Sequence, residues 1–101
     1  MKIYKNAVSG IPIPPGVTLR EELAERGITQ SAFARQIKLP VQMFSEIING
    51  RRIITSDIAI ALEKALGISA EMWLRMEMSY QISKARAALR KTPSRRARAA
   101  S

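Results

Sequence analysis

Acid–base, nucleophilic and metal chemistry need side chains that this chain scarcely has. Its 101 residues include no cysteine and no histidine, which excludes disulfides, thiolate or imidazole catalysis, and zinc sites of the Cys/His kind. From the eight carboxylates that remain, no nucleophile–base pair or metal cluster can be assembled, so neither an enzyme nor a cofactor is expected. Groups that bind rather than react are better represented. Gln30, Gln42, Ser45, Glu46 and Asn49, followed by Arg51 and Arg52, put amides, a hydroxyl, a carboxylate and guanidiniums into one short stretch. The formal charge of +9 is less informative than it looks, because Lys84, Arg86, Arg90, Lys91, Arg95, Arg96 and Arg98 place +7 of it in residues 84–101, with no acid among them. The rest of the chain is only +2, so a nucleic-acid partner for the folded part must be argued from geometry rather than basicity.

Positioning those groups takes two short helices that share an apolar seam. In QSAFARQIKLPVQMFSEIINGR, from Gln30 to Arg51, the residues Phe33, Ala34 and Ile37 recur at three- and four-residue spacing before Lys38-Leu39-Pro40. Phe44, Ile47 and Ile48 recur in the same way after it, so each segment has one face to bury. Pro40 lacks an N–H and would clash with a preceding helical turn, which assigns it to the turn or to the first turn of the second helix. Ala34 suits a close helix crossing, and Leu39 is the apolar plug of the turn. Thr29 is the expected N-cap and Asn49-Gly50 the stop. The pattern is that of a helix-turn-helix.

The remainder of the chain divides around this motif. Residues 1–16 mix Pro, Gly and isolated apolar residues and are expected as an extended arm, with Ile11 and Ile13 packing on the body. A helix is expected from Val17 or Thr18 to Arg26, with Leu19 and Leu23 inward, Glu21 and Glu22 in its first turn, Glu21, Glu22 and Glu25 on a solvated face, and Gly27 as its stop. After the motif, Thr55 or Ser56 with Asp57 opens a fourth helix whose inner stripe is Ile58, Ala61, Leu62, Ala65 and Leu66, ended by Gly67. Ser69 caps a fifth, which carries Met72, Trp73, Leu74, Met76, Met78, Tyr80 and Ile82 and runs on to Lys91. Residues 17–91 thus form an all-α domain of five helices, and residues 92–101, TPSRRARAAS, a disordered basic tail.

With these residues in place the chain resembles the phage-repressor-like (Xre/Cro, lambda repressor-like) helix-turn-helix family and, within it, the HigA-type antitoxins, also called virulence-associated protein I-like. The resemblance spans about Pro14 to Arg86. It rests on PPGVTLREEL before the motif, TQSAFARQI and LPVQMFSEIINGRR through it, and ITSDIAIALEKALGISAEMWLRMEMSYQISKAR after it. The last segment, from Thr-x-Asp through Ala-Leu-Gly to Trp-Leu and Tyr, separates this subgroup from ordinary phage repressors. The resemblance implies a dimer that binds an inverted repeat of double-stranded DNA in its own promoter and neutralises a cognate toxin, usually a RelE-like mRNA endonuclease.

On that reading the second motif helix enters the major groove, which admits an α-helix and shows a distinct pattern for each base pair. Gln42 is the leading base-reader, since an amide donates to adenine N7 and accepts from its N6 amino group. Val41 suits a thymine methyl, with Ser45 one turn on. Glu46 suits a cytosine amino group or, equally, an intramolecular ion pair. Gln30, Asn49, Arg51 and Arg52 match the family's backbone-contacting positions, which orient a protein without reading sequence; an ordinary solvated turn is the alternative for the two arginines. Two departures stand out. Lys38 occupies a position where many relatives have Gly and where a positive φ is expected. Val41 replaces the family's frequent glutamine, so the amide link to Gln30 is lost.

Other readings stay open at this point. A solitary Xre-type repressor would share the DNA-binding and lack the toxin, and a protein- or RNA-interaction module would bind through the Arg-rich tail. Trp73 is most simply a core residue, and Met76 and Met78 suit the core or a subunit interface. Trp73, Met76, Met78 and Tyr80 together, however, form a broad apolar surface that a small monomer has little interior to hide, which makes the fifth helix the expected homodimer interface. No apolar run reaches transmembrane length and the N-terminus lacks a signal-peptide core, so no membrane partner and a cytoplasmic location are expected.

Overall fold

The computed structural model describes residues 13–91, and within them five helices and no strand. These are α1 (Pro15–Arg26), α2 (Gln30–Gln36), α3 (Val41–Ile48), α4 (Ser56–Leu66) and α5 (Ala70–Lys91). The expectations for the first twelve residues and for the tail at 92–101 lie outside the described residues.

α1 starts earlier than its sequence pattern suggests. Pro15 is its first residue, with Pro14 as N-cap in an extended conformation. A proline there loses nothing, because the first N–H of a helix has no intrahelical partner, and its fixed φ already suits the helix. The arm expected to reach residue 16 therefore gives way to helix at Pro15. Glu21 and Glu22 consequently lie in mid-helix, not in the first turn. Glu22 also departs from the expected solvated face: it is 4% exposed and meets Arg26 at 3.4 Å. Arg26 in turn donates to the carbonyl of Leu66 at 2.8 Å, supplying a partner for an end group of α4.

The helix starts agree with their capping chemistry. Thr29 Oγ1 accepts from the Ala32 N–H at 3.1 Å, Thr55 Oγ1 from Ile58 at 3.5 Å and Ser69 Oγ from Met72 at 3.1 Å. Glu63 adds a second cap to α5 by accepting from the Ala70 N–H at 2.7 Å.

One core joins all five helices. Leu19 and Leu23 from α1, Phe33 and Ala34 from α2, Phe44, Ile47 and Ile48 from α3, Leu62 and Leu66 from α4, and Trp73 and Met76 from α5 are buried together. Phe33 and Phe44 sit with ring centroids 5.5 Å apart at 47°, locking α2 to α3. Ala34 is fully buried, as a close crossing requires. The expected interface set Trp73, Met76, Met78 and Tyr80 is corrected for its first two members. Trp73 is 0% and Met76 3% exposed within the single chain, because the apolar faces of the other helices already cover them. Tyr80 is half-buried under Lys84, whose Nζ lies 5.2 Å from the ring centroid, while Met78 stays 62% exposed.

Candidate nucleic-acid interface

The turn between α2 and α3 sets the position of everything that follows. The Lys38 N–H donates to the Arg35 carbonyl at 3.1 Å and the Leu39 N–H to the Ala34 carbonyl at 2.9 Å, closing α2. Lys38 takes φ +62°, alone among the described non-glycine residues, as the comparison with glycine at this position led one to expect. Leu39 packs against the core from the turn, and Pro40 is the N-cap of α3.

α3 then divides cleanly by face. Phe44, Ile47 and Ile48 are buried, whereas Val41, Gln42 and Asn49 are exposed and Ser45 half-exposed. Positions 41, 42, 45 and 49 share one side of a 3.6-residue helix. They present an apolar surface, an amide, a hydroxyl and a second amide to solvent, a set suited to base edges and groove walls. Gln30 is exposed at the start of α2, outside the core.

Glu46 takes the intramolecular of its two readings. Its Oε1 accepts from Arg52 Nε at 2.8 Å, so the carboxylate and one of the two arginines expected at the DNA backbone neutralise each other. The pair is exposed and worth little to stability, but it removes an isolated negative charge from the helix face. Among the described residues Arg51 has no such partner: its side chain is exposed, and its backbone N–H bonds the Glu46 carbonyl at 2.8 Å.

Asn49 is also engaged within the chain. Its Nδ2 donates to the Ser45 carbonyl at 2.9 Å, and its Oδ1 accepts from Arg20 Nη2 at 3.0 Å. Arg20 belongs to α1 and was not anticipated from the motif. The available signal was Gly16, one turn before it. A Cβ at Gly16 would overlap the carbonyl oxygens of Ile47 and Ile48, so α1 crosses the end of α3 at backbone distance and carries Arg20 with it.

A second unanticipated residue, Glu77, holds the link that follows. Its carboxylate is buried and accepts from the Ile54 N–H at 2.8 Å and from Gln81 Nε2 at 2.7 Å. It thereby ties the segment after the arginines to α5.

A buried scaffold that displays one polar helix face beside basic residues is the architecture of a helix-turn-helix protein. The helix-turn-helix family model matches residues 19–73, and the chain belongs to that Xre-like family. Virulence-associated protein I of Dichelobacter nodosus is 35% identical over 74 residues, covering 72% of this chain and 68% of that one. The Pseudomonas aeruginosa antitoxin HigA, solved with the higBA promoter, superposes with a TM-score of 0.75 at 35% identity over 80% of this chain and 89% of that one. A HigA-family addiction module antidote protein from Coxiella burnetii gives 0.71 at 34% identity over 83% and 89%.

Proposed function

We propose that this chain is the DNA-binding antitoxin of a type II toxin–antitoxin module, repressing its own promoter and neutralising a RelE-like mRNA endonuclease. The observation that carries the DNA half is the outward face of α3, where Gln42, Val41 and Ser45 are held clear of the core by Phe44, Ile47 and Ile48. Similarity to antidote proteins over most of the chain supports the antitoxin half. Gln42 reads a base, with Val41 and Ser45 beside it; Gln30 and Arg51 grip phosphates. Arg52 serves mainly to neutralise Glu46, which leaves Glu46 little part in base reading.

The active form is a homodimer on an inverted repeat, since paired recognition helices about 34 Å apart reach successive major grooves. Its interface is the outward stripe of α5, where Met78, Ile82 and Leu89 remain exposed at 62%, 42% and 42%. Tyr80 contributes at the margin of that contact.

The test has two parts. Fluorescence anisotropy against the duplex preceding its own reading frame should show roughly nanomolar, salt-sensitive binding, far tighter than to a shuffled duplex. Expression of the adjacent small reading frame should arrest growth, and co-expression of this chain should relieve the arrest. Equal affinity for both duplexes would refute the operator reading; an adjacent frame without toxicity would leave a solitary repressor.

A further inference from the structure

The end of α3 carries an arrangement that the motif itself does not require. Asn49 lies on the same outward face as Val41, Gln42 and Ser45, yet its side-chain amide is committed on both sides, to the Ser45 carbonyl and to Arg20. The guanidinium of Arg20 is therefore held at the rim of the face presented to DNA, although it enters from another helix. A single donor of its fork meets Asn49 at 3.0 Å, and among the described residues no carboxylate pairs with it. It is exposed, so several donors remain directed at solvent. Its backbone is fixed as firmly as its tip, because Gly16, one turn earlier, seats α1 against the Ile47 and Ile48 carbonyls.

An α-helix lying in the major groove has phosphates along both walls, and groups at its rim meet them. A guanidinium already oriented by an amide, and spared competition from a carboxylate, suits a planar, bidentate contact with phosphate oxygens. We propose that Arg20 is a DNA-backbone contact: a phosphate-binding residue delivered by α1 and aimed by Asn49. This rests on the DNA-binding reading above. It shifts the grip at this corner from the Asn49 amide to a cation, and makes Asn49 a positioning residue.

The test compares wild type with Arg20→Ala, Arg20→Gln and Arg20→Lys by anisotropy over a salt series, on the duplex preceding its own reading frame and on a shuffled duplex. Circular dichroism melts accompany each variant. Gln keeps a polar amide on α1 and loses the charge; Lys keeps the charge. Arg20→Ala and Arg20→Gln should weaken both duplexes by similar factors and flatten the plot of log K against log salt by about 0.9 for each bound protomer. Arg20→Lys should retain most of the slope. An unchanged slope in Ala and Gln, or wild-type behaviour in Gln alone, would overturn the proposal and reduce Arg20 to a packing partner of Asn49. If wild type itself binds neither duplex with salt sensitivity, the DNA-binding reading fails first, and that result is distinct from a normal wild type with a silent Arg20. Should Arg20→Ala lose helicity, Arg20→Gln, which keeps a polar side chain there without the charge, decides the matter.

Discussion

Gln42 and Arg51 would meet different parts of a duplex, and removing them should separate accordingly. On the proposed reading Gln42→Ala takes away one amide on a base edge, so discrimination at one operator position should drop by about 1–3 kcal/mol while the salt slope stays put. Competition against singly substituted operators measures it. Lys38 allows a prediction of another kind. At φ +62° it stores strain that a glycine would not, so Lys38→Gly should stabilise the fold by about 1 kcal/mol. A thermal melt should then rise by roughly 4–8 °C for a domain of this size. Single residues were unevenly legible beforehand. Lys38 was readable because the glycine that many relatives have there implies a positive φ. The partner of Asn49 was not, since Arg20 reaches it only once α1 has docked, and that of Glu46 depends on how the chain turns after α3 to bring Arg52 back.

Docking is where helix propensity and packing disagree, and Gly16 shows which wins. Alanine in place of a helical glycine gains up to about 1 kcal/mol, less in the first turn where Gly16 sits. Here the added Cβ would run into the Ile47 and Ile48 carbonyls, which are backbone and cannot rotate away. Overpacking against such a wall costs about 1–3 kcal/mol or more, so Gly16→Ala should lower the denaturation midpoint despite its better propensity. Glu77 carries the companion argument in α5. Glu77→Ala strips the buried Ile54 N–H of its acceptor, at about 1–3 kcal/mol, and chemical denaturation should register the loss. The helices themselves were readable from period and caps: Thr29, Thr55 and Ser69 each cap as their position implies. What periodicity could not show is that an acid in α5 closes a link 23 residues upstream, or that a glycine in α1 marks a crossing. Both depend on which elements become neighbours, and local spacing carries no record of that.

At the scale of the whole molecule, α5 has two apolar sides, one buried and one exposed. Trp73 and Met76 face the interior, whereas Met78, Ile82 and Leu89 recur at heptad-like spacing on the outer side. The sequence made the apolar surplus of this helix visible but not its division. A count of large side chains says that something must be covered; only the packed core says how much one chain covers by itself. Substitutions on the two sides should therefore behave differently. Trp73→Ala empties a fully buried site and should cost about 3–5 kcal/mol, a large part of the roughly 5–15 kcal/mol that holds a typical domain together, so its melt should broaden or vanish. Met78→Glu touches no buried group. Its chain should remain helical and fold as a monomer, yet sedimentation should show the loss of the proposed dimer. Operator binding should weaken on the full inverted repeat, while affinity for an isolated half-site stays near wild type, because each α3 still presents the same face. A Met78→Glu protein that still sediments as a dimer would move the subunit contact off the outer side of α5.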